Sequence, residues 1–460
     1  MRLIFKGAAR TVTGSKHLLE TSKGNILVDC GLYQGKREEA FKMNKSLDEI
    51  DPRSINAMIL THAHIDHCGA IPLFVKKGFE GDIFCTHATR DLANILLRDS
   101  AYIQEKDIEF VNKKRARNNE LPFNPLYTMD DAVKSLDYFV SYTYKRPFKI
   151  FNDIDVQLLD AGHILGSSMA LVKVEGKTIL FSGDYGRKDM PILQDPELIT
   201  EPIDYIIMES TYGNRVHDEI GLMESHLADV VNKTVARKGK IIVPAFSVGR
   251  TQELVYAFNR LVLAGKIPNI PMYVDSPLSV NATSVFRLHA ECFDSETHKF
   301  LIEEGDPFGF ERLKYVATVQ ESKNLNTIPG SCVIISASGM CEAGRVLHHL
   351  KNSISDAKNT ILFVGFQAEN TLGRQILEGQ KEVKIFGELH PVKAEIIKIE
   401  AFSAHGDKND LLRILQNLPQ PPKKAFIVHG EEEAALSFAQ EAGKYCLSVE
   451  VPHKDDVFEL

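Results

Sequence analysis

Over residues 1 to 208, short apolar runs alternate with turn residues. Asn25-Ile-Leu-Val-Asp-Cys-Gly31 and Ala57-Met-Ile-Leu60 have strand length, and Ala170-Leu-Val-Lys-Val-Glu-Gly-Lys-Thr-Ile-Leu-Phe181 predicts a hairpin turning at Glu175-Gly176. One long helical pattern, about 88–118, interrupts the series. From about 209 the texture becomes apolar strand, short Gly/Ser loop, then helix. Ile241-Ile-Val-Pro-Ala-Phe246 precedes Ser-Val-Gly-Arg250, and Met272-Tyr-Val274 precedes Asp-Ser-Pro-Leu-Ser279. Cys332-Val-Ile-Ile335 precedes Ser-Ala-Ser-Gly-Met340, and Ile361-Leu-Phe-Val-Gly365 is followed by Ala368-Glu-Asn-Thr-Leu-Gly-Arg374. Strands alternating with helices predict a parallel α/β sheet whose ligand crevice lies at the carboxyl ends of the strands. No fixed-period repeat, low-complexity tract or long linker is present, so two tightly packed domains are expected.

Composition narrows the class. At 460 residues, 44% apolar and 25% charged, the chain can form two or three domains with substantial cores. No apolar run reaches the roughly 20 residues of a membrane span, and Met1-Arg-Leu-Ile-Phe-Lys6 is too short an apolar start for a signal peptide. A cytoplasmic location is the expectation. The cysteines, at positions 30, 68, 85, 292, 332, 341 and 446, are odd in number and form no C-x-x-C pair. They predict small buried side chains in a reducing compartment, not disulfides or a thiolate zinc site. A net charge of −8 argues against broad adhesion to nucleic acid, so an anionic substrate must be held locally. The one basic run, Lys113-Lys-Arg-Ala-Arg117, reads as a solvated helix face, with substrate contact as the alternative.

The chemistry concentrates in Leu60-Thr-His62-Ala-His64-Ile-Asp66-His67-Cys-Gly69, four ligand-type side chains in six residues just after a strand. His62 and His64 fall on one side, and Asp66 and His67 at the following turn can reach a neighbouring point, which suits two metals. Imidazole and carboxylate without thiolate fit zinc, with manganese or iron(II) as alternatives. A His-rich surface loop is the bland reading, but matching residues recur downstream at strand ends beside glycine. His163 stands in Asp160-Ala-Gly-His-Ile-Leu-Gly-Ser167, Asp184 closes Ile179-Leu-Phe-Ser-Gly-Asp184, and His429 closes Ala425-Phe-Ile-Val-His-Gly430.

This set resembles the metallo-β-lactamase superfamily over 1–208 plus a C-terminal return, 396–460. The resemblance implies an αββα sandwich in which His62, His64 and His163 bind the first metal, Asp66, His67 and His429 the second, and Asp184 bridges both. Two such cations activate water and clamp the attacking and leaving oxygens of an in-line displacement, and Asp66 counts with the catalytic set. Asp29 matches the family's first acidic motif, which supports the site without binding metal.

Such a fold sets the reaction type but not the substrate. His429 stands 245 positions after Asp184, so a second domain, 209–395, must be inserted within the first. Glu209, ending Tyr205-Ile-Ile-Met-Glu209, His405, in Ala401-Phe-Ser-Ala-His-Gly-Asp407, and His429 match the three motifs of the β-CASP group. The resemblance implies a nuclease in which Glu209 orients His405 to protonate the departing ribose oxygen, unless the pair only tethers two domains. Histidine in the third motif implies RNA rather than DNA. The chain is similar to stand-alone prokaryotic relatives of the pre-mRNA 3′-end-processing endonuclease, without KH modules or the extra C-terminal domain of ribonuclease J.

Loops of the inserted domain offer backbone N–H groups at helix starts as phosphate cradles: Ser247, Gly249 and Arg250, then Ser338 and Gly339, then Thr371 and Arg374, with Ser403 near the metals. They would confine positive field to a cleft between domains. The expectation is a two-zinc, mainly endonucleolytic ribonuclease acting on single-stranded RNA. Rivals are a 5′-to-3′ exoribonuclease, a DNA nuclease, a hydrolase of small esters or thioesters, and a silent scaffold. Small-substrate hydrolysis leaves about 190 inserted residues unexplained, and a scaffold would have lost ligands.

Overall fold

The computed structural model describes residues 1–460 except 36, 218–219, 366, 368–370 and 400–402. Parts of two loops quoted above, 368–370 and 401–402, therefore lie outside the described residues. The chain forms two compact units: Met1–Lys188 with Asp195–Val216 and His405–Leu460, and Asp189–Gln194 with His217–Ala404.

The first unit contains two seven-stranded sheets. One runs in the order Val457–Glu459, Arg2–Phe5, His17–Thr21, Gly24–Val28, Ala57–Ile59, Asp82–Thr86, Phe139–Tyr142. The other runs Val449–Glu450, Lys424–Val428, Tyr205–Glu209, Lys177–Phe181, Ser168–Val174, Ile154–Asp160, Phe148–Ile150. Period-two alternation explains how they stack. In Tyr205–Glu209, Ile207 enters the core between the sheets with Leu3, Ile26, Ile59 and Phe181, while Ile206 and Met208 face helices Lys408–Gln416 and Glu432–Ala442. A strand covered on both faces reads as a continuous apolar run. The helix predicted over 88–118 is His87–Arg117, started by Thr86, whose hydroxyl accepts the Thr89 N–H. The predicted hairpin forms, with Glu175 and Gly176 both at positive φ. This architecture is the αββα sandwich.

The C-terminal return supplies strands to both sheets. Lys424–Val428 pairs in parallel with Tyr205–Glu209, Val428 opposite Glu209, and Tyr205–Glu209 pairs in parallel with Lys177–Phe181. Parallel neighbours bring their carboxyl ends to one edge, so Asp184, Glu209 and His429 emerge side by side. Phe426 locks the return in place, fully buried with its ring 5.2 Å from Phe5; its truncation to Ala should cost about 3–5 kcal/mol.

The second unit is built on a six-stranded, wholly parallel sheet, ordered Leu313–Tyr315, Met272–Val274, Val333–Ser336, Ile241–Pro244, Thr360–Phe363, Glu395–Lys398. The helices expected after its strands are Arg250–Leu263, Pro277–Leu288, Val346–Ser353 and Leu372–Leu377. Six cysteines are buried and Cys446 half-buried, none in a disulfide. Among the described residues no helix is long and apolar enough to cross a membrane.

Candidate metal centre

The centre is assembled at the carboxyl ends of strands from both sheets of the first unit. Strand Ala57–Ile59 ends just before Thr61 and His62; His64 then caps the short helix Ile65–Cys68, which carries Asp66 and His67. The His62–His67 segment is pressed against the preceding loop. A Cβ on Gly31 would lie 1.6 Å from the Asp66 carbonyl oxygen, so only glycine permits this approach. His163 follows strand Ile154–Asp160, Asp184 lies three residues past Phe181, and His429 directly follows Val428. Asp29 and His429 hold φ of 61° and 45°, a left-handed geometry that costs energy in non-glycine residues and clusters at functional sites.

Seven side chains converge as two groups sharing one carboxylate. His62 Nε2 and His163 Nε2 lie 3.0 and 3.2 Å from His64 Nδ1, and 3.4 and 3.6 Å from Asp184 Oδ2. In the second group His67 Nε2 is 3.1 Å from His429 Nε2, which is 3.5 Å from Asp66 Oδ2. The other Asp184 oxygen, Oδ1, lies 3.3 Å from His67 Nε2 and 3.3 Å from His429 Nδ1. Three observations fit these residues to metal ions. Tetrahedral zinc with bonds of about 2.0–2.1 Å spaces its ligand nitrogens about 3.3 Å apart. Imidazole nitrogens facing one another at these distances cannot all be satisfied by shared protons. Asp184 Oδ1 is buried without a hydrogen-bond partner, an orphan a cation would satisfy.

Electrostatics agree. Burial, reinforced by His62, lowers the His64 imidazole to about 3, and burial lowers His62 and His163 as well, leaving neutral ligands. Burial opposes the charged form of His67 too, but Asp184 and Asp29 overcome it and hold the ring protonated. Burial raises the Asp184 carboxyl, yet His429, His67 and His62 keep it well below the usual carboxylate range. The Asp29 carboxylate accepts from the Thr61 N–H and hydroxyl and lies 2.7 Å from His67 Nδ1, which leaves Nε2 facing Asp184.

Beside the metal groups, His405 Nδ1 lies 3.1 and 3.2 Å from the two oxygens of Glu209, and 3.9 Å from Asp184 Oδ2. Glu209 is fully buried and also accepts from the Tyr185 N–H and the Thr211 hydroxyl. Burial lowers the His405 imidazole, but the Glu209 charge and hydrogen bond outweigh it and raise it to about 9. The pair can hold a proton at the edge of the metal groups.

The loop residues of the second unit fare differently. Ser247, Ser338 and Thr371 follow the neighbouring strands Ile241–Pro244, Val333–Ser336 and Thr360–Phe363. Their polar groups serve local structure: Ser247 Oγ is 3.2 Å from Ser276 Oγ, Ser338 Oγ accepts from Glu342 N–H, and Thr371 caps helix Leu372–Leu377. Gly249, at φ 76°, turns the chain into helix Arg250–Leu263, and Gly339 packs under Phe246. Arg250 is buried and paired with Glu253, Arg374 binds Glu378 at 2.6 Å, and Ser403 is buried. Sequence reasoning missed Thr61 and Thr211; their adjacency to His62 and Glu209 in Leu-Thr-His and Glu-Ser-Thr was the available signal.

Known proteins share this organisation. Residues 13–133 match the profile of the metallo-β-lactamase superfamily, 251–376 that of the β-CASP domain, and 389–452 that of the Zn-dependent metallo-hydrolase RNA specificity domain. A Thermus thermophilus protein named Ribonuclease TTHA0252 is 32% identical over 441 residues, covering 96% of this chain and 95% of its own. An RNase J-like protein of Methanocaldococcus jannaschii is 33% identical, covering 95% and 94%. Transcription termination factor FttA of Methanosarcina mazei is 32% identical over 96% of this chain and 69% of its own. A crystal structure of an Enterococcus faecalis V583 protein of unknown function shares the fold with TM-score 0.59 and 13% identity, over 100% of this chain and 99% of that one.

Proposed function

The chain belongs to the β-CASP ribonuclease family of the metallo-β-lactamase superfamily, and from that footing we propose that it is a two-zinc endoribonuclease cutting single-stranded RNA to 5′-phosphate and 3′-hydroxyl ends. The observation that carries the reading is the Glu209–His405 pair set against two groups of ligand-type side chains that Asp184 faces with one oxygen each.

His62, His64, His163 and Asp184 would hold one zinc, and Asp66, His67 and His429, with the Asp184 oxygen that faces His67 and His429, the other. Bound cations supply Lewis acidity, making water nucleophilic near neutral pH and neutralising charge on the phosphoryl group. Asp29 keeps the His67 Nδ1 proton engaged so that Nε2 faces the site. Glu209 accepts the Nδ1 proton of His405, leaving the proton on Nε2 to move to the ribose 3′-oxygen as its bond to phosphorus breaks. Water oxygen forms the new bond to phosphorus as one of its protons passes to solvent, so the ribose 2′-hydroxyl is not needed and no 2′,3′-cyclic phosphate forms.

A circular RNA tests the reading, because it has no ends. Linearisation of the circle with 5′-phosphate termini is the expected result. Resistance of the circle, with rapid decay of a 5′-monophosphorylated linear RNA, would make the protein a 5′ exonuclease; inertness toward both, with turnover of a thioester, would overturn the ribonuclease reading.

A further inference from the structure

The helix His87–Arg117 is far longer than its packing requires. Its buried residues run from Ala88 to Ala101, and the remaining sixteen positions bury none. One side of this half rests on the 121–129 segment through Glu105, Asn112 and Arg115, so the feature to explain is its opposite, solvent-facing side. Its charge differs from that of the chain, which carries −8 overall. At 100° per residue, Ile103, Lys106, Phe110, Lys113, Lys114 and Arg117 fall within an arc of about 100°. Phe110 is 72% and Ile103 52% exposed, and Asp107 and Glu109 border the stripe.

Lys106 and Lys113 share Glu109 at 3.1 and 2.9 Å, exposed pairs of little energetic weight. Among the described residues Lys114 and Arg117 have no ion-pair partner. The end of the helix is braced. Arg115 lies 4.1 Å over the Phe123 ring and donates to the Leu121 carbonyl, while Asn112 bonds both the N–H and the carbonyl of Phe123. The start of the helix is tied to the metal centre, since the Thr86 and Thr89 hydroxyls both donate to the Gly166 carbonyl, three residues past His163.

We propose that the Ile103–Arg117 face is a docking stripe for single-stranded RNA, which extends the ribonuclease reading by giving its substrate a second hold away from the metals. An exposed ring, Phe110, flanked by the cations Lys106, Lys113, Lys114 and Arg117 matches a polymer of stackable bases and regularly spaced phosphates. Two isolated apolar side chains among cations do not make the apolar centre a stable protein interface needs. From Thr89 to Phe110 the helix rises about 32 Å, and a stacked strand at 3.4 Å per nucleotide spans that in about ten nucleotides. A tetranucleotide at the metals cannot reach the stripe; an RNA of about 20 nucleotides can.

The test uses full-length, metal-loaded protein and cleavage-resistant phosphorothioate RNA, with Kd measured by fluorescence anisotropy across a salt series. In Phe110→Ala/Lys114→Gln/Arg117→Gln the longer RNA should bind about tenfold or more weakly, and the slope of log Kd against log salt should fall by about 1.4, the value for two lost phosphate contacts. Phe110→Trp, which preserves stacking, should bind as tightly as the wild type. Unchanged affinity and slope in the triple variant would overturn the stripe. So would intact RNA binding accompanied by altered self-association in sedimentation, which would make the face a protein interface. Cleavage of unmodified RNA by the wild type reports on the ribonuclease reading separately, so the two failures look different.

Discussion

Replacing Glu209 with Gln would test how this site holds its proton. The substitution keeps the shape but removes the charge that raises His405 to about 9 against burial. With only the Asp184 and Asp66 charges left to oppose burial, the imidazole should fall back toward its ordinary 6.5. A general acid works only while protonated, so activity persists below its pKa and is lost as pH rises through it. At pH 8, a group titrating near 9 is about 90% protonated and one near 6.5 about 3%, a loss of about 30-fold from protonation alone. Cations bound beside Asp184 lower both values, so the separation of the two kcat profiles, not either midpoint, is the quantity to measure. Metal content should be unchanged, since Glu209 faces His405, Thr211 and the Tyr185 N–H. The variant is expected to regain much of its deficit at acidic pH. Superimposable profiles differing only in height would refute the idea that Glu209 sets the protonation of His405.

Three further outcomes are expected. Asp184→Asn removes the charge shared by both ligand groups, so metal analysis should find both sites depleted and activity lost by orders of magnitude; a single fully occupied metal in active wild-type protein would defeat the binuclear reading. His405→Ala should retain metal while kcat falls about 10²–10⁴-fold, whereas His429→Ala should lose metal; matching metal contents in the two variants would erase the distinction between acid and ligand. Asp29→Ala frees His67 Nδ1 and the Thr61 donors, so zinc affinity should drop about 10–100-fold in a chelator competition, and unchanged affinity would show that the carboxylate does not orient the ligand.

Much of this was legible in the chain because it depends on near neighbours. Alternation, helical period and turn residues placed the Glu175-Gly176 hairpin, the helix His87–Arg117 and the parallel strands of the second unit, since each rule acts within a few residues. Ligand types were equally plain, because His62, His64, Asp66 and His67 stand within six positions and their partners each close a strand beside glycine. Tertiary structure alone decided how those groups divide their atoms. Asp184 turns one oxygen to each ligand group, and Thr211 reaches His429 because parallel pairing sets Val428 opposite Glu209. Contacts such as Glu209 with His405, 196 residues apart, follow from strand register and packing, which no local pattern encodes. The exposure of Arg250, a phosphate candidate from its Gly/Ser loop, was likewise decided by the fold, which buries the side chain beside Glu253.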